Sequence, residues 1–257
     1  MSVAVEPRFA ATVAYYDRYR LAYPDRLIAR VAGLAGLNPG AAVLDLGCGT
    51  GMLATGFARL GMAVTAMDPE TGMLEVTRAK ARAAGVAMTS LQGGSQDLDS
   101  GMGPFRLVVI GRAFPWMDRA ATLAMLEKIV TPDGGVALFH DAHPPVEENG
   151  WFKILCDFQA QYRRDRRSGG HKRYEPFLFA SAFTEIDSLS VTIRQDLTAE
   201  DIVGRAFSMS ATSPPVLGAD RDAFASRLSA ALREWSPDGK FTEVAELVAV
   251  LARRPNR

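Results

Sequence analysis

The chain has 257 residues, 48% of them hydrophobic and 23% charged, which supplies core for one large domain or one domain with a lid. Its formal net charge of +0 argues against a nucleic-acid or membrane-surface partner recruited by long-range attraction, while leaving room for a local basic patch. Two cysteines, Cys48 and Cys156, exclude a disulfide framework, and three histidines offer no metal-ligand spacing, so no metal and a reducing, cytoplasmic setting are expected. The opening MSVAVEPRF lacks the basic and apolar regions of a signal peptide, and no stretch approaches the roughly 20 apolar residues of a membrane span.

In chain order, residues 9–19 have helical spacing. AYPDRLIARVAGLAGL follows, with Pro24 at a helix start and Leu27, Ile28 and Val31 on one face. Together they predict an N-terminal helical cap over 1–40. Strands are predicted at 42–46, 63–67, 86–91, 106–110 and 135–139, alternating with helices at 52–60, 70–84 and 118–130. That alternation is the pattern of a parallel sheet in a cofactor-binding core, 41–140. TPDGGVALF reads as a turn feeding the fifth strand. Over 141–182 the alternation lapses into aromatic and basic residues, an inserted helical lid. In 183–257, FTEIDSLSVTIRQ and FTEVAELVAVLARR predict the sixth and seventh strands, with a long helical segment between them. The whole of 1–257 reads as a single domain.

The first strand runs into VLDLGCGTG, where Gly47, Gly49 and Gly51 let the backbone turn tightly and approach a ligand. MLATGFARLG then starts a helix whose N-terminal amides face the turn, the opening of a Rossmann-type nucleotide site. A dinucleotide fingerprint fits poorly, because Met52 stands where a helix-packing glycine would be needed. Asp45, at the strand end, would repel a phosphate and attract an ammonium group. Asp68 closes the next strand, about 20 residues past Gly47, where a carboxylate can hold both ribose hydroxyls. The expected ligand is a nucleoside with a positively charged tail.

VLDLGCGTG followed by VTAMDPETGML resembles the cofactor site of class I S-adenosylmethionine-dependent methyltransferases, and the similarity extends through most of the chain. The resemblance implies an α/β, doubly wound, seven-stranded Rossmann-like sheet of order 3-2-1-4-5-7-6 with the last strand antiparallel. It also implies S-adenosyl-L-methionine as cofactor. Asp45, Gly47, Cys48, Gly49, Gly51, Asp68, Pro69 and Met73 then belong to the cofactor site, with Gly111 and Arg112 at the end of the fourth strand. In LQGGSQDL, Gly94 occupies the position where related enzymes often carry an acid for the adenine amino group. Adenine recognition is left to the Ser95 backbone and the Gln96 amide. YYDRYRLAYP resembles a segment of related small-molecule methyltransferases, with Leu21 replacing a proline. Arg20 becomes a fork for the cofactor carboxylate, and Tyr16 or Tyr23 a closure over the methyl group.

LVVIGRAFPWMD is the fourth strand and its exit loop, at the reaction centre of an open α/β sheet. Pro115 stands where many relatives have histidine. Phe114 and Trp116 could face the sulfonium by cation-π contact or pack the core. VALFHDAHPP puts His140, Asp141 and His143 just after the fifth strand, with His140 as the candidate base and His143 near the acceptor. In the lid, Trp151, Phe152, Phe158 and Tyr162 are spaced to bury against the site or against a partner subunit in a homo-oligomer. Arg163, Arg164, Arg166, Arg167, Lys172 and Arg173 make a basic stretch that serves an anionic substrate or RNA, or forms a solvated helix face. The expected activity is methyl transfer to a small-molecule nitrogen or oxygen, with nitrogen favoured by the missing histidine at Pro115. An RNA methyltransferase, a nicotinamide oxidoreductase and a non-catalytic cofactor-binding module are the alternatives.

Overall fold

The computed structural model describes residues 12–162 and 174–255. Seven strands form one sheet in the order β3-β2-β1-β4-β5-β7-β6. The strands are β1 (Ala42–Leu46), β2 (Ala63–Asp68), β3 (Thr89–Gln92), β4 (Phe105–Gly111), β5 (Val130–Ala142), β6 (Glu185–Leu197) and β7 (Phe241–Arg253). β1 to β5 are parallel, with Val43 level with Val64 and Leu107. β7 runs against its neighbours. Gln195 bonds Glu243 near one end of the β6/β7 pair and Asp187 bonds Arg253 near the other. On its other side, Gly135 lies against Ala252 and His143 bonds Glu243. Those pairings require antiparallel strands, so order and direction agree with the expected doubly wound sheet.

The helices are α1 (Val13–Tyr19), α2 (Asp25–Leu34), α3 (Met52–Arg59), α4 (Thr71–Ala83), α5 (Arg119–Ile129), α6 (Gly150–Ala160), α7 (Glu175–Phe179), α8 (Ala199–Phe207), α9 (Pro214–Leu217) and α10 (Arg221–Trp235). The chain divides into two compact units. One comprises 22–141, 170–191 and 247–257, and the other 1–21, 142–169 and 192–246. In the first, β1, β4 and β5 contribute Leu44, Val108 and Leu138 to a core that also takes Tyr174 and Leu178 from the start of α7. In the second, α6, α8 and α10 interleave Trp151, Leu155, Ile202, Phe224 and Leu228.

Two boundaries depart from expectation. β3 starts at Thr89 and not at 86, because Val86 still donates to Ala81 O and Gly85 takes φ +67°, which spends those residues on leaving α4. β5 is longer than 135–139 at both ends. The turn expected at 131–134 falls inside it: the register jumps there, Phe105 pairing with Val130 and Leu107 with Gly135, and a β-carbon on Gly134 would lie 2.7 Å from Val130 Cγ1, so the chain doubles back over these residues. His140 and Asp141 therefore lie on the strand, and not after it. The 141–182 segment contributes α6 to one unit and α7 to the other, while its basic residues, Arg163 to Arg173, lie outside the described residues.

Candidate functional site

The glycine turn after β1 is built on three left-handed backbones, with φ of +73° at Gly47, +55° at Gly49 and +76° at Gly51. Neighbours press on it from two sides. A β-carbon on Gly47 would lie 2.5 Å from that of Ala113, and one on Gly51 would lie 2.8 Å from Thr77 Cγ2. Thr77 also donates its hydroxyl to Gly49 O at 2.9 Å. Met67 O accepts from Gly47 N and Cys48 N, which ties the turn to β2. Cys48 is buried against Thr77, and burial pushes its thiol well above the ordinary range.

Two carboxylates frame the turn. Asp68 accepts from Gly49 N at 2.8 Å and from Glu70 N at 2.9 Å. Burial raises its pKa against the pull of those amides. Asp45 is 1% exposed. Its Oδ2 accepts from Ala54 N in α3 at 2.9 Å, whereas its Oδ1 is buried with no hydrogen-bond partner among the described residues. Burial, with Asp68 adding to it, lifts Asp45 to about 7. Asp45 thus leaves one buried carboxylate oxygen without a partner among the described residues behind the glycine turn, and a cationic group beside it would favour its charged form.

On the β2/β3 side, Ser95–Asp97 forms a 3-10 turn. Asp97 was not anticipated. It accepts from Gly94 N at 2.8 Å and from Gln96 Nε2 at 2.9 Å, so the acid missing at Gly94 returns three residues later as the anchor of the loop. The signal in the sequence was the capping spacing, an acid three positions past the start of a turn. Gln92 Nε2 reaches Pro69 O, and Met73 is buried in the core.

At the end of β4, Tyr23 lies over Gly111, where an added β-carbon would meet its ring at 3.3 Å. Its hydroxyl donates to Phe139 O at 3.3 Å. Arg112 follows with φ +59°, the positive-φ non-glycine among the described residues. It sits 4.5 Å over the Tyr23 ring and is ion-paired with Asp141. Phe114 is 1% exposed and packs edge-on against Tyr174 and Phe177, whereas Trp116 is 45% exposed. His140 meets Tyr174 edge-on at 5.3 Å.

The remaining candidates belong to the other unit. Arg20 donates to Ser208 O and covers the Tyr16 ring. His143 bonds Glu243 Oε1 at 2.6 Å and stacks on Phe152 at 3.8 Å. Trp151 is fully buried, with its indole N–H on Thr242 O. Arg205 pairs with both oxygens of Glu243 and donates to Tyr19 O. Burial would raise the Glu243 carboxyl, but the bonds from His143 and Arg205 outweigh it and hold the group at about 2.

A glycine turn at the end of β1, an acid closing β2 and the 3-2-1-4-5-7-6 sheet define an α/β fold of the Rossmann-like methyltransferase type. The family description "Methyltransferase domain" matches residues 43–134 of this chain. An uncharacterised methyltransferase of Mycobacterium tuberculosis is 32% identical over 149 residues, covering 57% of this chain and 56% of that protein. The malonyl-[acyl-carrier protein] O-methyltransferase of Serratia marcescens is 31% identical over 137 residues, 53% of this chain and 51% of the other. The chain thus spans just over half the length of these curated relatives. Among solved structures, the YcgJ protein of Bacillus subtilis superposes with a TM-score of 0.57 at 15% identity, covering 91% of this chain and 100% of that one.

Proposed function

We propose that the protein transfers a methyl group from S-adenosylmethionine to a small-molecule acceptor. The observation that carries this reading is the unpartnered, buried Oδ1 of Asp45 beside three positive-φ glycines. These residues fit the cofactor. Asp45 would hold its ammonium, Asp68 its ribose hydroxyls, and the loop fixed by Asp97, with Ser95 and Gln96, its base. The cofactor brings a methyl group on a sulfonium, already activated for in-line displacement.

What the chain must add is placement and dryness. Holding two reactants in near-attack geometry is worth on the order of 7–11 kcal/mol. After β4, Phe114 is buried and Trp116 is exposed, and these aromatic faces are the apolar surface the reading offers to the sulfonium. Pro115 carries no proton-accepting group where relatives have histidine, which favours a nitrogen acceptor that arrives neutral. A hydroxyl acceptor would turn to His140 as base.

Calorimetric titration with S-adenosylmethionine, S-adenosylhomocysteine and NADH tests the reading, followed by an acceptor screen that follows S-adenosylhomocysteine release. Micromolar binding of the first two and none of NADH is expected. Asp68→Ala should weaken both by about tenfold or more, since it removes hydrogen bonds to a charged group. Equal affinity in that variant would remove Asp68 from the site. Binding without turnover on any acceptor would make the domain a sensor.

A further inference from the structure

Near the ends of β4 and β5, two buried donor atoms have no hydrogen-bond partner among the described residues. Tyr174, just ahead of α7, is 3% exposed, and its hydroxyl is buried with no hydrogen-bond partner among the described residues. Its ring meets Phe114 at 5.6 Å and His140 at 5.3 Å, both edge-on. Arg119 opens α5, and its guanidinium lies 4.8 Å over the Phe177 ring. Its Nε is likewise buried and unpartnered. Phe177 packs edge-on against Phe114 at 6.3 Å, so phenol and guanidinium flank one set of rings.

A phenylalanine at 174 would fill the same space without stranding a hydroxyl. A native structure keeps a buried polar group unpaired only where something else gives it a partner. The setting suggests what that partner is. Gly111 is level with Phe139 across β4 and β5, so the Phe114 turn follows the carboxyl end of β4 and His140 lies close to that of β5, the edge at which open α/β sheets bind their substrates. Burial pushes the Tyr174 hydroxyl above its ordinary value, which keeps it protonated and able to donate. A guanidinium can only donate, and its planar fork suits a carboxylate. Arg112 already has Asp141 as counter-charge, so Arg119 is the cation placed to meet an anion among these rings.

We propose that Tyr174 and Arg119 form an anchoring subsite for the acceptor, donating hydrogen bonds to a carboxylate of the substrate. They are positioning residues that orient the acceptor, and the subsite rests on the methyl-transfer reading. Both donor atoms are covered, so the ligand enters by displacing neighbouring side chains.

The test is titration of benzoate, phenylacetate and succinate, each against its primary amide, into protein saturated with S-adenosylhomocysteine. At least one acid is expected to bind about tenfold tighter than its amide, and Tyr174→Phe and Arg119→Met should each remove about that factor. The affinity for S-adenosylhomocysteine should hold in both variants. The thermal midpoint of Tyr174→Phe should match or exceed that of the wild type, because the hydroxyl bonds nothing among the described residues. Amides that bind as well as acids, no acid binding, variants that bind like the wild type, or a destabilised Tyr174→Phe would each overturn the subsite. Failure of the wild type to bind S-adenosylhomocysteine would instead overturn the methyl-transfer reading, and the acceptor subsite with it.

Discussion

Asp45 keeps its proton near neutrality because its surroundings offer one backbone amide and little else. Its pKa is lifted from 3.8 to about 7 by burial, with Asp68 adding to it. The folded state therefore binds a proton that the unfolded chain releases near pH 4. Stability from this group is complete below that pH and is lost as pH rises through about 7. The ligand-free protein should show a falling thermal midpoint across that window, and Asp45→Asn should flatten the fall. A cationic ligand group seated on Oδ1 favours the charged carboxylate and pulls the pKa back down. Cofactor binding near pH 7 should then release part of a proton, read as a dependence of the calorimetric heat on the ionisation enthalpy of the buffer. A buffer-independent heat would place the ammonium elsewhere.

At the level of elements, β1, the glycine turn and α3 were legible because neighbouring residues determine them: an apolar strand, glycines where positive φ is needed, and an amphipathic helix. The length of β5 was not, because it depends on pairing with β4, which resumes on the far side of the turn at 131–134 and extends the strand to Val130. The same limit hid the role of His143, whose partner Glu243 lies on a strand 100 residues away. That cluster is structural in character. Arg205 meets both Glu243 oxygens and ties the end of α1 through Tyr19 O, while Gln195 adds a bond from β6. Glu243, held at about 2 against an ordinary 4.5, contributes stability above pH 4.5 that is lost as pH falls toward 2. Arg205→Met should cost about 3–5 kcal/mol in denaturant unfolding, because it leaves a buried carboxylate short of its main counter-charge. A loss near zero would mean that water or a rearranged His143 replaces the guanidinium.

Across the whole molecule, most of the residues in the cofactor reading come from one continuous stretch, Asp45 to Asp97, with Tyr16, Arg20, Gly111 and Arg112 outside it, and a continuous stretch is what a sequence motif can display. Tyr174 and Arg119 could not be paired in that way. They are far apart in sequence, neither sits in a motif, and what marks them is a buried donor atom, the Tyr174 hydroxyl and the Arg119 Nε, with no hydrogen-bond partner among the described residues. Among the described residues no helix is long and apolar enough to cross a membrane, and the formal net charge is +0. On the proposed reading, selectivity for the cofactor comes from the local fit around Asp45 and Asp68. Any ligand that binds only the native state stabilises it by an amount set by concentration and Kd, about 2.7 kcal/mol at a hundredfold excess over Kd. For a chain of this size that corresponds to a rise in Tm of roughly 5–10 °C. S-adenosylhomocysteine should produce such a rise and NADH none, because the Asp45 carboxylate repels a pyrophosphate and Met52 denies it the close glycine packing. Equal shifts from both would mean that the turn accepts nucleotides without regard to the charge of the tail, and that Asp45 does not select the ligand.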